Sequence, residues 1–138
     1  MNAVDIKLSE SSVSLISSNL QKKVQTVREA TNAEMSSFTS HVFERAQQRV
    51  PTVTGALSAS GNISEQNTDD VLKRVIGYGT SLTNPTTGRT TASYAVERHE
   101  VESPKNPESY KWLERTMLDS ADEFLQRMAS AISGGLND

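Results

Sequence analysis

Two histidines, seventeen carboxylates and no cysteine bound the chemistry open to this 138-residue chain. His99-Glu100 begins like a zinc-binding helix motif, but position 103, four residues on, is serine, so the second ligand is missing. His41 lies between Ser40 and Val42, and both histidines read as surface or boundary residues. Without cysteine there is no thiolate nucleophile, thiolate metal site or disulfide. No Gly-x-Ser-x-Gly elbow and no phosphate-binding Gly-Lys-Ser/Thr loop occurs. Gly77-Tyr78-Gly79 is followed by Thr80-Ser81-Leu82 and lacks the third glycine of a dinucleotide fingerprint. Glu97, Glu100 and Glu102 fall on a predicted strand, where Glu100 and Glu102 share one face and Glu97 takes the other. That does not make an acid–base pair, and the reading is a solvated edge or salt-bridge partners for a neighbouring subunit. The inventory predicts no enzyme, no cofactor and no metal.

The remaining side chains with something to offer are suited to docking. Tyr94 can pack its ring and leave its hydroxyl at a boundary. Trp112 lies about 100° from the apolar stripe of the closing helix. It fits either the chain's own sheet edge or an intersubunit anchor, where tryptophan is enriched. The run Ser81 to Thr91, with Pro85 and Gly88 among polar residues, is longer than a hairpin closure requires and predicts a protruding loop over 81–91.

These residues need elements to hold them. The first fifty residues lack glycine and proline. Leu20, Val24 and Val27, then Met35, Phe38, Val42 and Ala46, recur at steps of three and four. The pattern predicts a helix from about residue 12 to about 49, capped by Ser11 or Ser12 and ended by Pro51. Residues 1–11 are expected to be a flexible N-terminus. The Ala/Thr/Asn/Ser-rich stretch from Glu29 to Ser37 is a place for a kink or a split. Leu57, Ala59 and Ile63 alternate with polar residues as in a half-buried strand, and a short helical turn capped by Thr54 competes for the first few. A polar turn over Glu65 to Asp70 precedes a second strand over Val71 to Thr80, in which Gly77 and Gly79 mark a bulge or a close backbone approach. Ala92 to Val101 reads as a third strand with Tyr94 and Val96 inward. Asn106, Pro107 and Glu108 start a closing helix with Leu113, Met117, Ala121, Phe124, Met128 and Ile132 on one stripe and Leu125 beside it. Gly134-Gly135 is expected to stop it. The whole is a single α+β domain over 1–138: a long N-terminal helix, a small antiparallel sheet of about three strands with a long hairpin loop, and a C-terminal helix packed on the sheet.

Only 35% of the residues are hydrophobic and 5% aromatic, which is thin for a free globule and suits a subunit that completes its burial against neighbours. The net charge is −3, and residues 92–138 hold nine acids against five bases, so a phosphate-neutralising surface is not predicted. Lys22, Lys23 and Arg28 form the nearest basic group and read as a solvated helix face. The opening residues lack a basic start followed by an apolar run, and no apolar stretch is long enough to span a bilayer.

The run Val50-Pro51-Thr52-Val53-Thr54-Gly55-Ala56-Leu57-Ser58-Ala59-Ser60, then Ser93-Tyr94-Ala95-Val96-Glu97, then Tyr110-Lys111-Trp112-Leu113, resembles the neck or tail-completion protein family of tailed bacteriophages. Thr54, Gly55, Leu57 and Ser60 match that family's Thr-Gly-x-Leu-x-x-Ser segment. Tyr94 and Ala95 match its tyrosine strand, and Trp112-Leu113 its aromatic-Leu helix start. Two places depart: Ser58 stands where arginine or lysine is common, and Glu97-Arg98-His99-Glu100 replaces Glu-aromatic-Gly. The resemblance implies a non-enzymatic virion subunit that forms a ring, hexameric by analogy, at the head–tail junction. Its partners would be other copies of itself, a head connector or head-closure protein, and a tail terminator or tail tube protein. DNA would pass through the bore without specific binding, and no membrane would be involved. Assembly would occur in the host cytoplasm. The interface residues expected on this reading are Leu82, Asn84, Pro85, Arg89, Tyr94, Glu97, Arg98 and Trp112. A small soluble binding or adaptor module is the other reading.

Overall fold

The structure, a computed structural model, describes residue 7 and residues 9–137. Helix α1 runs unbroken from Glu10 to Arg49. Ser9, rather than Ser11 or Ser12, caps it: its hydroxyl accepts the Ser12 amide at 3.1 Å. Residues 10 and 11 of the expected flexible terminus are thus helical, while 1–6 and 8 lie outside the described residues. Val50 ends the helix in extended geometry ahead of Pro51. The weak stretch neither kinks apart nor splits: Thr31 Oγ1 donates back to Val27 O at 2.9 Å, but Asn32, Glu34 and Ser36 are engaged elsewhere. Arg74 donates to Asn32 and, at 3.1 Å, to Ser36, and Arg127 pairs with Glu34. Side chains held outward in this way do not compete for the helix's own backbone.

After α1 the chain turns through Gly55, at φ 79°, into the four-residue helix α2, Ala56–Ala59. The helical turn therefore prevails over the strand at Leu57 and Ala59, with Thr54 Oγ1 accepting the Ala56 amide at 3.4 Å. Strand β1, Asn62–Asn67, pairs antiparallel with β2, Leu72–Gly77, in a register that sets Ile63 opposite Ile76 and Glu65 opposite Arg74. The turn shrinks to residues 68–71. Arg28 holds it to α1 through the carbonyls of Thr68 and Asp69, the latter at 2.7 Å.

The sheet has two strands, not three. Thr91–Glu100, expected as strand, is helix α3. Thr91, Tyr94 and Ala95 are buried at steps of three and one, a helical face, while Val96 is exposed. The backbone at Gly79 makes room for it: a Cβ there would lie 3.0 Å from Ala92 Cα and from Ala95 Cβ. Of the two strand glycines, Gly79 therefore marks a close approach.

A 3-10 turn, Pro107–Ser109, leads into α4, Trp112–Asp119, and α5, Ala121–Asn137, separated at Ser120. The closing helix packs chiefly on α1 rather than on the sheet. Along α4 its inward line is rotated by one residue from the expected stripe: Trp112, Thr116 and Ser120 are buried while Met117 is exposed; along α5 Phe124 and Met128 of the stripe are half-buried, and Leu125 and Ile132 are exposed. Small polar groups win these positions because α1 brings arginines to them. Arg49 Nη1 donates to Thr116 Oγ1 at 3.1 Å and Arg45 Nη1 to Ser120 Oγ at 3.0 Å. Gly134-Gly135 does not stop the helix; Gly135 is buried against α1.

One cluster joins four of the helices: Ala46 and Val50 of α1, Leu57 of α2, Tyr94 and Ala95 of α3, and Trp112 of α4, with Leu113 and Tyr78, just past β2, packed on it. A second contact, Phe38 on Phe124 at 5.4 Å between centroids, holds α1 to α5 farther along.

Candidate interaction site

α3 organises the site. As a helix it places Tyr94, Glu97 and Arg98 at i, i+3 and i+4, on one face, with Val101 in extended geometry just past its end. That face, the 84–89 loop tip, residues 51–57 and the linker after α3 enclose a groove of about 460 Å³. Five of the eight expected interface residues line it: Asn84, Arg89, Tyr94, Glu97 and Arg98. Leu82 and Pro85 are exposed beside it on the loop and do not line it. Trp112 is elsewhere, 1% exposed, with the Tyr78 ring edge-on at 5.5 Å and the His99 ring at 4.9 Å. Of its two readings the chain's own core is the one realised.

The 81–91 loop is exposed along most of its length, and it is built rather than slack. Asn84 Oδ1 accepts the amides of Thr86 at 2.9 Å and Thr87 at 3.3 Å, and the Asn84 amide donates to Arg89 O at 2.8 Å. A bridge between Thr83 and Thr90 closes its neck. Fully buried Thr91 anchors it, its hydroxyl accepting from Thr80 N at 2.8 Å and donating to Thr80 O at 3.1 Å.

Within the groove, Arg89 lies 5.6 Å from the Tyr94 ring centre, 4.0 Å from the Glu97 carboxylate and 3.1 Å from Ser93 O. The Tyr94 hydroxyl is buried without a hydrogen-bond partner among the described residues. Arg89 and Arg98 offset Glu97 and Glu102, while Val53, Val101 and Pro104 supply apolar wall. A mixed lining of this kind suits a peptide segment or a protein loop better than a polyanion, which needs one sign of charge. The sequence reading missed Val53 and Val101. Their signal was valines flanking a proline turn and a helix end, visible only once α3 is known to be a helix.

On the opposite side of α3, His99 forms a clasp to α4. Its Nε2 accepts the Glu114 amide at 3.3 Å and its Nδ1 faces Glu100 Oε1 at 2.9 Å, which places the proton on Nδ1. The His99 hydrogen bond, aided by Lys111, holds the Glu100 carboxyl below its usual range. Hydrogen bonding to Glu114, then the charge of Glu100, raises the Lys111 ammonium. Glu97 and Glu100 now share a helix at i, i+3, but Glu97 serves the groove and Glu100 the clasp. No group of three or more His, Asp or Glu side chains suited to a metal occurs among the described residues. No described helix is long and apolar enough to cross a membrane. No family model, curated protein or solved structure matches the chain.

Proposed function

We propose that this chain is a structural virion subunit of a tailed phage, one member of a ring at the head–tail junction that joins connector to tail and leaves a channel for DNA. The observation that carries the self-assembling part is the first third of α1. α5 reaches only as far as Val27, where Gly135 packs, and Lys23, whose ammonium donates to Leu136 O at 3.1 Å. Beyond that point α1 continues for about 20 Å. Val13, Leu15, Ile16 and Leu20 are 48–63% exposed there, and Val24, beside the contact, is 67% exposed. A helix of this length is marginal in water without tertiary packing, so its apolar residues call for a neighbour. The head–tail assignment rests on the resemblance. Its matching residues Leu57, Trp112 and Leu113 meet in one cluster, which supports reading those two short motifs together; Tyr94 and Ala95, matched to a strand of that family, join the cluster from helix α3 and so depart from the family's pattern. Hexameric stoichiometry is part of the proposal.

Sedimentation and negative-stain imaging of the purified chain, alone and with connector and tail-terminator proteins, test it. A ring with an open bore is expected. A strict monomer that binds neither class of partner overturns the reading. The groove at Tyr94 favours the second reading, an adaptor that grips a peptide segment; that reading gains if the chain stays monomeric yet binds one protein partner, and Arg98→Glu abolishes the binding.

A further inference from the structure

Among the described residues the hairpin leaves both sheet edges open, and the two edges differ. The Thr68 amide donates to Val71 O at 2.8 Å, which makes 68 and 71 a hydrogen-bonded pair. Antiparallel ladders alternate, so the register makes Ser64 and Val75 a bonded pair and Glu65 and Arg74 a non-bonded one. The backbone N–H and C=O groups of Ile63, Glu65 and Asn67 therefore point off the free edge of β1, and those of Leu72, Arg74 and Ile76 off the free edge of β2. β1 is exposed at all six positions. It contains no proline and no lysine, the usual protections of an edge. A two-stranded hairpin is marginal alone and gains from a third strand.

Charge selects which strand fits. The only ionic side chain of β1 is Glu65, whereas β2 carries Lys73 and Arg74 and no acid. Pairing β1 with β1 brings Glu65 near its own copy, and pairing β2 with β2 does the same for two cations. Pairing β1 with β2 opposes the charges: Arg74, its side chain 4% exposed, already meets Glu65 of its own chain at 3.3 Å, and repeating the hairpin's register sets it between that carboxylate and Glu65 of the next copy. We propose that the outer edge of β1 pairs antiparallel with the outer edge of β2 from a second copy of this chain, so that hairpins join head to tail into one sheet. This rests on the ring reading above, and a head-to-tail contact is the kind that closes into a ring.

The chain has no cysteine, so cross-linking starts from a clean background. Ser64→Cys and Val75→Cys are made in separate chains, mixed, and oxidised mildly. Across the proposed junction these two positions form a non-hydrogen-bonded pair, where side chains approach most closely. The expected product is the mixed disulfide dimer, with each variant alone giving little. Homodimers from either variant alone overturn the proposal, because like edges then meet. An assembled mixture without cross-links overturns the edge pairing and leaves the ring reading standing; an unsubstituted chain that stays monomeric removes both. Glu65→Pro supplies a second arm, removing an outward N–H without touching the hairpin ladder. It is expected to lose the oligomer while melting, unassembled, where Glu65→Ala does, since both lose the Glu65 contacts to Arg74 and Asn67; Glu65→Ala, which keeps the N–H, assembles more weakly than the unsubstituted chain but still assembles. Equal assembly of the two variants overturns the proposal.

Discussion

Gly135 lies so close to Val27 that a Cβ on it would sit 2.9 Å from the Val27 Cα and 3.0 Å from its Cγ2. The adjacent Gly134 has nothing within 4 Å of the same position. The pair makes opposite predictions from one substitution. Gly134→Ala should stabilise by up to about 1 kcal/mol, because alanine is the better helix former. Gly135→Ala should destabilise by about 1–3 kcal/mol, because backbone of α1 must move. Thermal melting of the two variants decides it; matching shifts would mean that α5 does not dock on α1 here.

Trp112 and Phe124 rank the two contact regions. Trp112→Ala should cost about 3–5 kcal/mol, since the ring is fully buried between α1, α3 and the end of β2. Phe124, only half-buried against Phe38, should cost less. The Trp112 indole N–H has no partner among the described residues, so Trp112→Phe should retain most of the stability. Denaturant midpoints of the three variants test the order.

Tyr78 gives the fold an alkaline limit. Burial pushes its hydroxyl from 10.0 to about 12, and that hydroxyl donates to Gln47 Oε1 at 2.9 Å. Between those values the folded chain holds a proton that the unfolded chain has released. The contribution is intact below about pH 10 and is lost as pH rises toward about 12. Tyr78→Phe should flatten the fall in melting temperature over that window; an unchanged slope would assign the alkaline loss to other groups.

The loop divides into a tip and an anchor. Replacing residues 84–89 with a short turn should leave the melting temperature within a few degrees and weaken partner binding, because the Thr83–Thr90 bridge remains. Thr91→Val, which leaves the Thr80 N–H without its partner while Thr80 O keeps the Ala92 amide, should cost about 1–3 kcal/mol. Removing Ser81–Thr91 entire takes the anchor too, so it should damage the fold as well as assembly. Melting and pull-down measurements on the three variants separate the roles.

Periodicity made α1 legible at Phe38, Val42 and Ala46, because that face is buried by its own chain, and β2 at Leu72 and Ile76, where one parity is half-buried. It failed at α3, where Tyr94 and Val96 mimic an alternating strand. The deciding partner was Gly79, far off in sequence, whose missing side chain lets a helix sit down. It failed by one residue on α4, because the inward positions Thr116 and Ser120 are polar and only the arginines of α1 make them suitable for burial. The groove residues were picked as loop and strand positions, and five of them meet because the strand is a helix.

The free stretch of α1 ties order to abundance. A dilute chain has little to hold Val13 through Val24 out of water, while a crowded one can hide them against neighbours. Helical signal should therefore climb with concentration and level off once every copy is incorporated. A subunit arranged in this way would finish folding at the site where it is used, with its last element set by the structure it helps to complete.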